Sequence, residues 1–184
     1  MRKNSRIAVY KILFSKVFNS EPYDGFEELI FNEENLDEKD IAFARELISA
    51  FNAHESIIND IIAKYAQGYS FERLFATDKC AMQICVTEML YFENIPHIVS
   101  ISEAMDLVRT YSALESPNFV NGILAQIKKS IESGEIAAEA TAIENTAPEN
   151  TAVKAAPEAS GTVSEREALI CKFSTARRSR PIIA

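Results

Sequence analysis

The stretch from Thr77 to Phe92 most constrains how this chain can fold. Wound as a helix from Thr77 or Asp78, it sets Met82, Ile84, Cys85, Val86, Met89, Leu90 and Phe92 around nearly the whole circumference. A helix without a wet face has to be enclosed by other elements. Only Asp78, Lys79, Gln83, Thr87 and Glu88 are polar positions able to reach a surface. This helix is therefore expected at the centre of the C-terminal half, with the rest of the chain supplying its cover.

The remainder is written in helical periods. Ile7, Tyr10, Phe14, Val17 and Phe18 form a stripe within residues 2–20, widened by Val9, Ile12 and Leu13. A turn with Pro22 and Asp24 leads to a short helix through Phe26, Leu29 and Ile30. Asp37 is placed to cap a third helix through Ile41, Ala44, Leu47, Ile48 and Phe51, and a fourth carries Ile57, Ile58, Ile61, Ile62 and Tyr65 before Gly68, a natural helix terminator. After the central helix, Asn94-Ile95-Pro96 breaks the pattern, and Ile98, Ile101, Ala104, Met105, Val108 and Tyr111 continue it. Helical periods without strand-like alternation predict an all-α protein.

The last strong period begins at Ser116, a capping residue, followed by Pro117 in the first turn. Phe119, Ile123, Ile127 and Ile131 recur every fourth position, with Val120 and Leu124 beside them. The other edge is anomalous. Asn118, Asn121 and Gly122 all disfavour a helix interior. Either a neighbouring helix crosses closely at Gly122 or this edge makes a contact.

The net charge of −8 argues against coating nucleic acid by bulk charge, so any such binding has to be local. Arg2, Lys3, Arg6, Lys11 and Lys16 are the charges of the first helix, all positive and concentrated at its start. Positive charge there opposes the helix dipole, a conflict that an anionic partner would relieve, although a solvated basic end is the plainer reading. The run Glu27, Glu28, Glu33, Glu34, Asp37, Glu38 and Asp40 reads as a solvated face that repels RNA. Cys80, Cys85 and Cys171 have no metal-site spacing and read as core filler in a reducing, cytoplasmic setting. No apolar run reaches the length of a membrane span. From about Ile136, Ala, Glu, Thr and Pro dominate, so residues 1–135 are expected to form the folded domain and 136–184 a disordered tail. The tail's Arg177, Arg178 and Arg180 are a further basic group.

No catalytic constellation is visible. His54 and His97 have no metal-ligand partners at useful spacing, no glycine-rich phosphate loop occurs, and carboxylate pairs lie on exposed helical faces. A binding protein without cofactor or metal is expected, not an enzyme.

The assembled motifs resemble the NusB family of transcription antitermination factors. The match is most specific in Ile-Pro-His-Ile-Val-Ser-Ile-Ser-Glu-Ala from Ile95 and in Ser-Pro-Asn-Phe-Val-Asn-Gly from Ser116; the basic start and the Asp78–Glu88 segment also fit. The resemblance covers Arg2 to Ser130. It implies an all-α domain of two packed helical subdomains, about 1–68 and 69–135. It implies a non-catalytic protein that binds boxA RNA together with NusE, a small-ribosomal-subunit protein, within the RNA polymerase antitermination complex on ribosomal RNA operons. It leaves a homodimer of the free protein open. Carried over by position, Arg2, Lys3, Arg6, Asn118, Phe119 and Asn121 are the expected RNA contacts, and Phe14, Asp78 and Glu115 the expected partner-side positions. Phe14 and Phe119 sit on apolar stripes and read equally as core. Asn4, Gln83 and Asn118 stand where the family pattern is usually basic, which implies weaker RNA binding and more reliance on NusE. The alternatives are a protein–protein module that has lost RNA binding, and a fragment of a ribosomal RNA methyltransferase, which carries a similar domain.

Overall fold

The structure, a computed structural model, describes residues 2–19 and 25–136. Six α-helices follow in order among them: α1 (Arg2–Phe18), α2 (Phe26–Glu33), α3 (Glu38–Tyr65), α4 (Ala76–Tyr91), α5 (His97–Tyr111) and α6 (Ser116–Glu132), with a 3-10 turn at Phe71–Arg73. No strand occurs among the described residues.

Local chemistry sets several ends. The Asp37 carboxylate accepts the Asp40 N–H at 2.8 Å, capping α3. Gly68 takes φ +85° beyond the end of α3, a left-handed turn that only glycine adopts without strain. The apolar α4 packs against α1, α3, α5 and α6, and everything from Cys80 to Met89 on it is buried. That enclosure is what its sequence demanded. Cys80 and Cys85 are core side chains, as expected.

The first helix is a surprise. Its stripe predicts a one-sided helix, yet from Ser5 to Leu13 it is buried all round, Arg6 and Lys11 included. It packs on α2, α3, α4 and α5. Lys11 is enclosed because Glu34 lies 2.8 Å and Glu33 3.2 Å from its Nζ. Burial opposes the charge on Lys11, but the two carboxylates win and raise its pKa. The acidic run is thus not wholly a solvated face: Glu34 and Asp40 are buried. The end of α1 behaves oppositely, with Val17 and Phe18 exposed.

Further departures have equally local causes. The expected third and fourth helices are one helix, α3, broken at His54 (φ −126°, ψ 20°), whose ring stacks on Tyr91 with 4.1 Å between centroids. Ser116 does not cap α6; Glu115 flanks that helix, and the Ser116 hydroxyl donates instead to Asp78 at 2.8 Å. The fold also runs past the expected boundary at 135, because Ile136 is buried. The expected disordered tail beyond Ile136, with Cys171 and the terminal arginines, lies outside the described residues.

Burial pushes the Cys80 thiol up to about 12 and the Cys85 thiol well above its ordinary value. Between their ordinary value of 9.0 and the raised one, the folded state keeps protons that the unfolded chain releases. Stability is therefore expected intact below pH 9 and falling above it, by up to ~1.4 kcal/mol per pH unit for each thiol. Urea unfolding as a function of pH measures this. Alkylation mapped by mass spectrometry is expected to spare Cys80 and Cys85 until the chain unfolds.

Candidate nucleic-acid interface

At one end of the bundle the helices are joined through a buried charge. Glu88, on α4, is 0 % exposed. Its Oε1 accepts Arg6 Nε at 2.6 Å, and its Oε2 accepts Arg6 Nη2 at 3.2 Å and the Ser100 hydroxyl at 2.7 Å. The fork of Arg6 matches the carboxylate in two places, which fixes α1 against α4, while Ser100 brings in α5. Glu103 lies 3.7 Å from Arg6 Nη1. The guanidinium carbons of Arg2 and Arg6 sit 4.9 and 5.6 Å from the centre of the Phe43 ring.

This arrangement leaves Arg2 and Lys3 on the surface. They border an open depression of about 420 Å³ whose other walls are Asn94, Ile95, Pro96, Val99 and Glu103. Lys3 Nζ is 2.7 Å from Asp106 Oδ2. That hydrogen bond, with Arg109 nearby, holds the Asp106 carboxyl below the usual carboxylate range.

The opposite end of α1 is aromatic. Phe14 is half-buried between Tyr10 and Phe18, at centroid distances of 6.4 and 5.1 Å, and Tyr10 stacks on Tyr111 at 5.0 Å. Ser112, next in sequence, donates to Asp78 Oδ1 at 2.5 Å. With Ser116 on Oδ2, both oxygens of buried Asp78 are satisfied by hydroxyls. Asp78 and Ser116 lie in the first turns of α4 and α6, where helix dipoles favour a negative charge. Beyond this network Phe119 packs edge-on against Tyr69, 5.2 Å between centroids, and Leu114 is 94 % exposed.

The structure thus divides the expected site residues between two ends, about 16 Å apart along α1 at 1.5 Å per residue from Lys3 to Phe14. Arg2 and Lys3 are exposed at the first. Phe14 and Phe119 are half-buried at the second, and Asn118, Asn121 and Glu115 are exposed on or beside α6. Two of the expected site residues are buried. Arg6 is not a surface cation, because Glu88 holds it in the core. Asp78 is not a surface carboxylate, because Ser112 and Ser116 enclose it. Gln83, read as a lost basic contact, donates to Asn59 at 2.8 Å and belongs to the α3–α4 packing. Asn4 reaches the Glu34 carbonyl at 3.3 Å. The close crossing at Gly122 is also absent: a Cβ there would meet nothing within 4 Å. The sequence did not indicate that Asp106 sits between Lys3 and Arg109, because Lys3 lies 103 positions away. No metal-binding cluster and no helix long and apolar enough to cross a membrane occur among the described residues.

Fold and surface define a class: an all-helical domain with buried ion pairs for joints and with exposed cations and half-exposed rings on its surface. The chain belongs to the NusB family, whose sequence profile matches residues 3–129. It is 39% identical over 112 residues to a transcription antitermination protein NusB of Thermodesulfovibrio yellowstonii, covering 61% of this chain and 73% of that protein. It is 28% identical over 146 residues to the NusB of Symbiobacterium thermophilum, covering 76% and 95%. Among solved structures, T. maritima NusB aligns with a TM-score of 0.63 at 32% identity, over 70% of this chain and 91% of that one. A chain from a complex of antitermination factors NusB and NusE with dsRNA shares the fold, with a TM-score of 0.64 at 24% identity over 70% and 96%.

Removing Arg6 strands a buried carboxylate. Arg6→Ala is expected to cost about 3–5 kcal/mol, whereas Arg2→Ala costs less than about 1 kcal/mol; urea unfolding of both variants measures the difference. Gly122→Ala, on an exposed helical position with open space, is expected to stabilise the free protein by roughly 0.5–1 kcal/mol in the same assay.

Proposed function

We propose that this chain is a transcription antitermination factor. It catalyses no reaction, and it binds boxA RNA together with NusE in the cytoplasm, in the RNA polymerase complex that transcribes ribosomal RNA operons. The observation that carries this reading is the family match, which spans nearly the whole described helical body. Relatives in that family bear the name transcription antitermination protein, and one related fold was crystallised with NusE and RNA.

The surface supports the same reading physically. Single-stranded RNA is held by phosphate contacts and by stacking of bases on rings. Arg2 and Lys3 supply the first at one end of α1. Phe14 and Phe119 supply half-exposed rings towards the other, with Asn118 and Asn121 as neutral hydrogen-bonding neighbours. Glu115 and the exposed apolar side chains Phe18 and Leu114 offer a protein partner a surface beside the rings. Arg6 and Asp78 take part indirectly, by fixing α1 and α6. The folded part comprises two packed subdomains, about 1–68 and 69–135, joined by α1.

The test is fluorescence anisotropy with boxA RNA and a scrambled RNA, NusE present. BoxA is expected to bind more tightly. Phe119→Ala is expected to weaken binding by about 1–3 kcal/mol, the range for one stacked base, and Lys3→Ala to weaken it and flatten the salt dependence. Equal affinity for the two RNAs overturns the reading. NusE association without salt-dependent RNA binding points instead to a protein–protein module, the reading that the neutral Asn118 favours.

A further inference from the structure

We propose that Lys3, Asp106 and Arg109 form a phosphate clamp in which the Asp106 carboxylate keeps the place of an RNA phosphodiester between two cations. The inference rests on the RNA-binding reading above. Lys3 Nζ lies 2.7 Å from Asp106 Oδ2, and Arg109 Nη1 lies 3.4 Å from Oδ1. Each cation thus takes one oxygen of the carboxylate. A phosphodiester also offers two unshared oxygens, so it fits the same bridge.

Exposure makes the exchange cheap. The side chains of Lys3, Asp106 and Arg109 are 53, 45 and 61 % exposed. Ion pairs this wet contribute little net energy, so a phosphate competes with Asp106 at small cost. Contrast Arg6, whose carboxylate is buried and not exchangeable. The charge balance favours an anion once Asp106 is displaced, because two cations of the triad then face it and Arg2 is exposed on the same end of α1.

Position completes the argument. On α5, Arg109 lies between Asp106, opposite Lys3, and Tyr111, whose ring stacks on Tyr10 beside Phe14. Arg109 therefore lies on the way from the cationic end to the rings. Within the clamp it meets the phosphodiester from the α5 side, opposite Lys3. Asp106 in turn holds both side chains extended and ready before RNA arrives, and sets a ceiling on non-specific binding.

The experiment measures boxA RNA affinity against salt for the full chain with NusE. Arg109→Ala is expected to bind about fivefold more weakly at moderate salt, with the log–log salt slope smaller by about 0.7, one phosphate on a single strand. Asp106→Asn removes the competing carboxylate and is expected to bind more tightly, to scrambled RNA as well as boxA. Arg45→Ala is the control: Arg45 pairs with Glu28 at 3.3 Å on the α2–α3 side, with similar exposure, and its loss is expected to change neither affinity nor slope. If wild type binds and Arg109→Ala matches it in affinity and slope, the clamp is wrong while the RNA-binding reading stands. The clamp is equally overturned if Arg45→Ala weakens binding as much, or if Asp106→Asn weakens it. Absence of RNA binding by wild type overturns both.

Discussion

The Arg6–Glu88 pair is the joint on which the rest of the structure depends. It spans 82 positions of sequence and locks the first helix to the apolar one that everything else surrounds. A buried charge pair is a poor source of net stability, since desolvation offsets most of the attraction. Its value lies in position. A sliding apolar contact tolerates a shift of one turn; a fork of two hydrogen bonds on a carboxylate that also accepts Ser100 does not. Because α1 is pinned there, Arg2 and Lys3 emerge at a defined place beside the start of α5.

The central helix carries a second buried carboxylate near its other end, and the contrast is instructive. Glu88 receives a cation. Asp78 receives the hydroxyls of Ser112 and Ser116, and the first turns of two helices. The same problem, an anion in an apolar bundle, is solved once by charge and once by dipoles. Each solution ties down one end of the surface described above: cations at the Glu88 end, rings at the Asp78 end. The polar residues of α4 thus shape the surface without being on it.

The sequence made the apolar architecture readable because helical period is a local property. The encirclement of α4, the cap at Asp37, the turn at Gly68 and the buried cysteines all follow from residues within a few positions of one another. What escaped was set by partners distant in sequence. Nothing near Arg6 or Lys11 indicates that Glu88 and Glu34 will enclose them. Ser116 looked like a cap because its competitor for hydrogen bonding, Asp78, is 38 positions away. Gly122 suggested a close crossing from composition, but crossings are a matter of which helix lies opposite, and there none does. The family motifs located the two ends of the surface, while only geometry separated residues that face solvent from those that hold the helices in place.

The enclosure of α1 has a consequence for synthesis. Of the described helices this one is made first, yet its walls include α4 and α5, the fourth and fifth of the six. At roughly 5–20 residues per second, several seconds pass between the appearance of Arg6 and that of Glu88. During that interval the most basic segment of an otherwise acidic chain has no core to enter. The domain therefore cannot close from its N-terminus forward; it closes around its first helix, after most of its length has been made.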